Sequence, residues 1–386
     1  MARPASRHIS DSVNEDKASR YHRLKRTTGI VAFIWSAVLL VGLVVTGGSV
    51  GLRHVAEWLT PGGASRPALI VISYVVLLSL LNEIVSIPLS FYSGFLIERR
   101  YGLSNQTFGG WLLDQFKGFA LGVILGGLAA SVLYFFIRRS PDSWWLPAGA
   151  TFALLIVGLA NLAPVLLLPL FYTVKPLDRE ALRTRLMALA ERASARVLGV
   201  YEWGLAAKTK KANAALTGMA GTRRILVSDT MLADYTEDEI EVVLAHELAH
   251  HVHGDIWKGL IFESALILAG FFASARVLRA WVGWMGLSSP GDVAGLPLLL
   301  LTAGAVSLVM VPAAHAMSRR YERAADQFAL KLTRNPTAFI SAMRRLAAQN
   351  LAEEHPSKLV KWLFYSHPPI RERVAAAQEF AMRANL

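Results

Sequence analysis

Long apolar runs alternate with short polar segments along this chain. Six unbroken apolar runs lie near 29–51, 70–96, 118–137, 148–173, 260–282 and 293–315. A helix of about 20 apolar residues crosses the hydrocarbon core of a bilayer, because each residue rises about 1.5 Å. The runs therefore predict about six transmembrane helices. The second and fourth are long enough to tilt or to project beyond the lipid. The pattern divides the chain into 1–173, a cytoplasmic arm and four spans; 174–259, a polar domain; 260–317, two further spans; and 318–386, the C-terminal part of the polar domain.

Inside the polar domain the periodicity changes. Asp178 is placed to cap a helix running to about Arg196, with Leu182, Leu186 and Leu189 on one side. Two or three short strands are expected next. Tyr201–Leu205 is the first, and Ala212–Leu216 and Arg224–Ser228 flank a turn at Thr217–Thr222 that contains Gly218 and Gly221. Thr236-Glu237-Asp238-Glu239 fits a capping box, so a helix starts at Glu237 with Ile240, Val243, Leu244 and Leu248 on its apolar side. Within the spans, Gly118, Gly122 and Gly126 make a small-residue face suited to close helix packing. Asn82 and Glu83 lie midway along the second span. Glu263 lies early in the fifth. Since charge at such depth is costly, these side chains belong either to a buried structural pair or a position near the interface, or to the wall of an aqueous chamber.

Composition supports the membrane reading: 54% of the 386 residues are hydrophobic. Cysteine is absent, so disulfides are excluded and a transition-metal site must use His, Asp or Glu. The net charge of +12 is assigned to basic loops against anionic lipid, with no nucleic-acid partner, because no basic stretch is interleaved with stacking aromatics. Residues 1–28 hold seven Lys/Arg, including Arg20, Arg23, Lys25 and Arg26 just before the first run. That run is too long for a signal-peptide core and reads as a retained anchor with a cytoplasmic N-terminus. Four spans later, 174–259 returns to the same side.

Chemistry enters at His246-Glu247-Leu248-Ala249-His250. Residues four apart share a helix face, so both imidazoles can reach one cation. Glu247 lies about 100° around the helix, where it can take a proton from a metal-activated water. This is the arrangement of a zinc-dependent peptidase. A catalytic zinc takes a third protein ligand. Glu322, in Ser318–Asp326, is the best candidate, since His251, His253 and Asp255 point to other azimuths or lie past the helix end. Glu322 and Asp326 share a helix face; one carboxylate can bind the metal and the other can accept the N–H of a ligand imidazole. The expected fold class is mainly α, a polytopic membrane helix bundle of about six spans with a cytoplasm-facing zinc-peptidase domain containing a small β-sheet.

Further motifs extend the picture: Phe95–Gly102 followed by Asn105-Gln106-Thr107, Pro169-Leu170-Phe171, Pro176-Leu177, Asn213-Ala214, Arg224–Val227, Asp229-Thr230, Tyr365-Ser366-His367-Pro368-Pro369 and Glu372-Arg373. With the His246–His250 and Arg319–Asp326 segments, and in this order, they resemble the type I CAAX prenyl protease family of integral-membrane zinc metalloendopeptidases. The resemblance covers nearly the whole chain from the second span onward and suggests a bacterial member. It implies one zinc ion per chain on His246, His250 and Glu322, with Glu247 as catalytic base. It implies an active site facing the cytoplasm and a chamber enclosed by the helices. Asn213 and Ala214 are similar to the strand that holds the substrate backbone, His367 to the histidine near the scissile carbonyl, and Arg373 to an arginine in the same neighbourhood. Two departures stand out: eukaryotic members usually have seven spans, and they carry histidine where this chain has Asp255. The latter is expected to touch nothing essential.

The expected function is therefore membrane-embedded zinc endopeptidase, acting on peptides or membrane proteins from a bacterial inner membrane. Glu247 serves as base, His367 stabilises the oxyanion, and Arg373 orients a carboxylate or the substrate. A quality-control protease for misfolded membrane proteins is the alternative within the same chemistry. A transporter with a structural metal site is the alternative outside it, disfavoured because structural zinc is normally closed by four protein ligands.

Overall fold

A computed structural model describes residues 7–62, 66–218 and 220–385. Residues 1–6 of the expected arm and residue 219 of the expected turn lie outside the described residues. Six helices in it are long and apolar enough to cross a membrane: Lys17–Val45, Pro67–Arg100, Phe108–Arg139, Trp145–Leu166, Asp255–Trp281 and Val293–Thr333.

The first apolar run is not one helix. Helix α1 (Arg7–Val45) stops before Gly47, which takes a left-handed φ of 72°, and α2 (Gly48–Leu59) departs from there. At 12 residues α2 is too short to span. The second span includes a π-helical stretch, Phe91–Ile97, just after Pro88, which has no N–H to continue the ladder. The fourth ends at Leu166, short of the expected 173, and a separate short helix, Leu168–Phe171, follows with Pro169 in its first turn, where a missing N–H costs little. The sixth does not end near 317: a single 38-residue helix, α3 (Leu296–Thr333), runs from the bilayer into the polar part.

The glycine face of the third span meets expectation only at Gly126, where a Cβ would lie 3.7 Å from Val75 Cγ1 of the second span. A Cβ at Gly118 or Gly122 would meet nothing within 4 Å, so neither is a packing contact. Both line a cavity of about 550 Å³ between the helices, together with Ser36, Asn82, Glu83 and Gln115. Asn82 and Glu83 both stand on the cavity wall, and Asn82 is also paired there, accepting from Ser36 Oγ at 2.9 Å and donating to Ser86 Oγ at 3.0 Å.

The polar part holds a four-stranded sheet in the order β1-β2-β4-β3: β1 (Val174–Pro176), β2 (Val200–Trp203), β3 (Ala214–Thr217) and β4 (Arg224–Ser228). Only β2 and β4 are parallel. β1 escapes sequence reading because it is three residues long and ends in proline. The β3–β4 turn requires glycine at Gly218, where φ is 83° and a Cβ would lie 2.6 Å from the Thr222 carbonyl oxygen. Asp178 caps no helix: α4 (Glu180–Arg192) starts after Arg179, and Asp178 pairs with Lys175 instead. The helix stops at Arg192 rather than Arg196, with Ser194 in the left-handed region.

Helix α5 (Glu237–Val252) begins at the expected capping box, with both reciprocal bonds made. Its apolar side, Ile240, Val243, Leu244 and Leu248, is buried in one core with Leu182, Leu186, Leu189, Ile225, Val227, Leu330 and Phe339. That core joins the polar segments on either side of the last two spans. It clamps α5 against α3 and so fixes the motif helix beside the helix carrying Glu322.

Candidate active site

Two helices supply the site, and their regular periods place its donors. From α5, His246 and His250 project on one face with ring centroids 5.0 Å apart. From α3, Glu322 inserts between them: Oε2 is 3.2 Å from His246 Nε2, and Oε1 is 3.3 Å from His250 Nε2. One donor atom from each of the three lies within 4.8 Å of the others. Glu322 Oε2 is buried without a hydrogen bond of good geometry. A buried carboxylate oxygen left so is costly unless a cation sits beside it, and two nitrogens plus one oxygen suit a divalent transition metal. The donor set therefore fits a metal ion.

The outward ring nitrogens are also engaged. His246 Nδ1 lies 2.9 Å from Asp326 Oδ1, one turn along α3 from Glu322. Arg373 Nη2 is 3.2 Å from the same nitrogen. The carboxylate is the nearer of the two and the one able to accept a proton from Nδ1, an arrangement that would leave Nε2 free to bind a metal. Arg373 spends its donors on Asp326, through Nη2 at 2.6 Å and Nε at 2.9 Å. Both of these contacts go to a carboxylate of the protein itself, while Arg373 also lines the cavity beside Glu247. His250 Nδ1 lies 3.1 Å from Asp255 Oδ2. Sequence reading gave Asp255 no part, because it falls beyond the end of α5. Gly254, with φ at 67°, turns the chain back there and brings Asp255 onto the histidine. A glycine just past the helix end was the available signal.

Glu247 faces a cavity of about 290 Å³ that Asn213, Ala214, His246, His367 and Arg373 also line. Burial pushes its carboxyl above the usual range, against the pull of the two imidazoles. A carboxylate so raised is a better proton acceptor near neutrality. His367 Nε2 sits 3.1 Å from Glu322 Oε1, although the side chain is 60% exposed. Asn213 and Ala214 stand at the start of β3, an edge strand that pairs only with β4 among the described residues. Ser228 N–H donates to Asn213 O, so Asn213 turns its backbone toward β4. By alternation Ala214 and Leu216 present theirs to the open edge. The Asn350 side chain pairs both backbone groups of Ala212, closing the edge on that side.

A helix bundle with an H-E-x-x-H helix, a distant glutamate and a cavity at an open strand edge defines a membrane metallopeptidase. The family model described as "CAAX prenyl protease N-terminal, five membrane helices" matches residues 4–173, and "Peptidase family M48" matches 176–381. The chain belongs to this family of membrane metalloendopeptidases. Four of its long apolar helices lie within the first match, with the short α2 between them. The chain is 30% identical over 366 residues to the uncharacterized metalloprotease YhfN of Bacillus subtilis, covering 94% of this chain and 85% of that one. It is 25% identical over 311 residues to the probable CAAX prenyl protease 1 of Schizosaccharomyces pombe, covering 80% of this chain and 65% of that relative's length. The crystal structure of S. mikatae Ste24p shares the fold, with a TM-score of 0.86 at 22% identity over 98% of this chain and 91% of that one.

Proposed function

We propose that His246, His250 and Glu322 hold one zinc ion per chain and that Glu247 is the general base of peptide-bond hydrolysis. The observation that carries the reading is the convergence of three donors within 4.8 Å beside a cavity that Glu247 faces. When bound, zinc supplies Lewis acidity that acidifies water and polarises a carbonyl. Glu247 takes a proton from the attacking water and returns it to the leaving amine. Asp326 and Asp255 keep the imidazoles in the ligating tautomer. His367 offers a donor to the developing oxyanion, and the open edge of β3 at Ala214 and Leu216 pairs with an extended peptide.

The substrate class is therefore a peptide or an unfolded segment of a membrane protein, and nucleic acid is not a partner. Segments 174–259 and 318–386 form one catalytic unit. Arg26 of α1 pairs with Glu353, so the basic end of the first span and the catalytic unit share one side of the bilayer. The positive-inside rule makes that side the cytoplasm, in a bacterial inner membrane.

The test is Glu247→Gln in the purified full-length protein. Metal content stays at that of the wild type, while turnover of an unfolded peptide falls at least ~100-fold, the scale of general-base catalysis. Turnover near that of the wild type would remove Glu247 from the chemistry.

A further inference from the structure

The first membrane helix reaches into the catalytic cavity. His22 of α1 lines it alongside Asn213, Glu247 and His367. Its Nε2 lies 2.8 Å from the Leu351 carbonyl. One turn further on, Arg26 Nη1 donates to Glu353 Oε2 at 2.5 Å, and the Tyr365 hydroxyl donates to the same oxygen at 2.6 Å. Glu353 is only 8% exposed, so both bonds are charge-assisted and poorly screened. Tyr365 is tied by its backbone as well: Arg319 Nη1 of α3 donates to its carbonyl at 2.6 Å.

Tyr365 stands two residues before His367. The imidazole of His367 is mostly exposed, and its partners are the adjacent Ser366 and Glu322. A side chain so exposed is not fixed by packing. Besides its 3.1 Å contact with Glu322, what holds it is the chain that carries it, and Tyr365 in that chain is tied to α1 through Glu353 and to α3 through Arg319.

We propose that Arg26 and Glu353, acting through Tyr365, are positioning residues for His367. The inference rests on the reading of His367 as the oxyanion donor. Glu353 and Tyr365 line the same cavity as His367, but the bonds that anchor the three run among themselves and to Arg319, not to His246, His250 or Glu322. The cytoplasmic end of the first span thus sets where the imidazole stands, while the two metal-binding helices set the metal site. Displacing α1 from the catalytic unit lowers transition-state stabilisation and leaves metal binding intact.

A double-mutant cycle separates this from a merely structural role. Full-length protein in lipid nanodiscs is assayed on an unfolded peptide as wild type, Tyr365→Phe, His367→Ala and the double variant. Tyr365→Phe is expected to lower kcat about 10-fold with KM and metal content unchanged, the signature of an interaction made in the transition state. In the His367→Ala background the same change is expected to cost less than about twofold, since the effect has no other route. Equal losses in both backgrounds overturn the proposal, and so does an unchanged kcat in Tyr365→Phe. Should Tyr365→Phe fail to accumulate, Glu353→Gln takes its place in the cycle. Glu247→Gln run alongside reports on the hydrolytic reading by itself: its retained turnover would sink the base assignment whatever the cycle gives.

Discussion

Arg373 and Asp326 form a buried fork, with guanidinium Nη2 on Oδ1 at 2.6 Å and Nε on Oδ2 at 2.9 Å. Paired charge-assisted bonds of this kind fix the plane of a carboxylate as well as its position. The fixed Oδ1 is the oxygen facing His246 Nδ1 at 2.9 Å. Arginine therefore aims the aspartate, and the aspartate aims the histidine. Asp326→Asn keeps the shape and loses the charge. It should weaken metal affinity about 10- to 100-fold, the usual effect of removing such a partner. Competition against a chromophoric chelator measures this; unaltered affinity would deny the carboxylate its part in orienting His246.

Asp255 does for His250 what Asp326 does for His246, with a looser hold. Its Oδ1 takes a bond from the half-exposed Lys258 at 2.9 Å rather than from a buried guanidinium. The His250 side chain is also less buried than that of His246, at 22% against 7% exposed. Asp255→Ala should therefore cost metal affinity by about 10-fold, the lower end of the range for such partners, and less than Asp326→Asn. The reverse order in the same chelator assay would contradict the ranking drawn from burial.

What the sequence reveals of this site depends on how local each relationship is. His246 and His250 share a face because four residues make about one helical turn, so five residues suffice to read it. Glu322 lies far off in the chain, yet it announces itself as an acidic i,i+4 pair with Asp326 just past an apolar run. Asp255 stays hidden, because continuing the helix carries it away from His250, and only the left-handed turn at Gly254 brings it back. Arg26, Glu353 and Tyr365 are hidden altogether, since tertiary packing alone joins them. The fold divides the same way. Six apolar runs give six long helices. The break at Gly47, the three-residue β1 and the unbroken helix from Leu296 to Thr333 come from turn geometry and packing.

Glycines in the spans show how sequence spacing misleads. Gly118 and Gly122 fit a packing motif, yet a Cβ at either meets open space. Gly149 fits no motif, and a Cβ there would run into Leu268 Cδ2 of the fifth span. Gly149→Leu should destabilise the protein in detergent by about 1–3 kcal/mol, as overpacking does. Gly122→Ala should leave stability unchanged or raise it by up to about 1 kcal/mol, the helix-propensity gain. Thermal unfolding of the two variants side by side decides this, and equal destabilisation would refute the contrast.

Glu239 ties the start of α5 to the rest of the catalytic unit. Its Oε2 accepts from the Thr236 backbone N–H at 2.8 Å, closing the capping box, while Oε1 accepts from Ser341 Oγ at 2.6 Å and Arg345 Nε at 3.3 Å. The residue is 2% exposed. Burial alone would raise its pKa, but these bonds outweigh it and hold the carboxyl below its ordinary value of 4.5. A group depressed on folding stabilises the folded state fully above its unfolded pKa, and the contribution fades as pH falls through the lower folded value. Glu239→Gln keeps an acceptor for the capping box but removes the charge, and should therefore cost about 1 kcal/mol at neutral pH, the scale of turning charge-assisted hydrogen bonds into neutral ones. The gap to wild type should shrink as the pH drops below about 4.5, because protonation removes the same charge from the native carboxylate. Thermal unfolding of both proteins in detergent between neutral pH and pH 4 checks this; a gap that stays constant or widens on acidification would show that the charge of Glu239 does not hold the helix start.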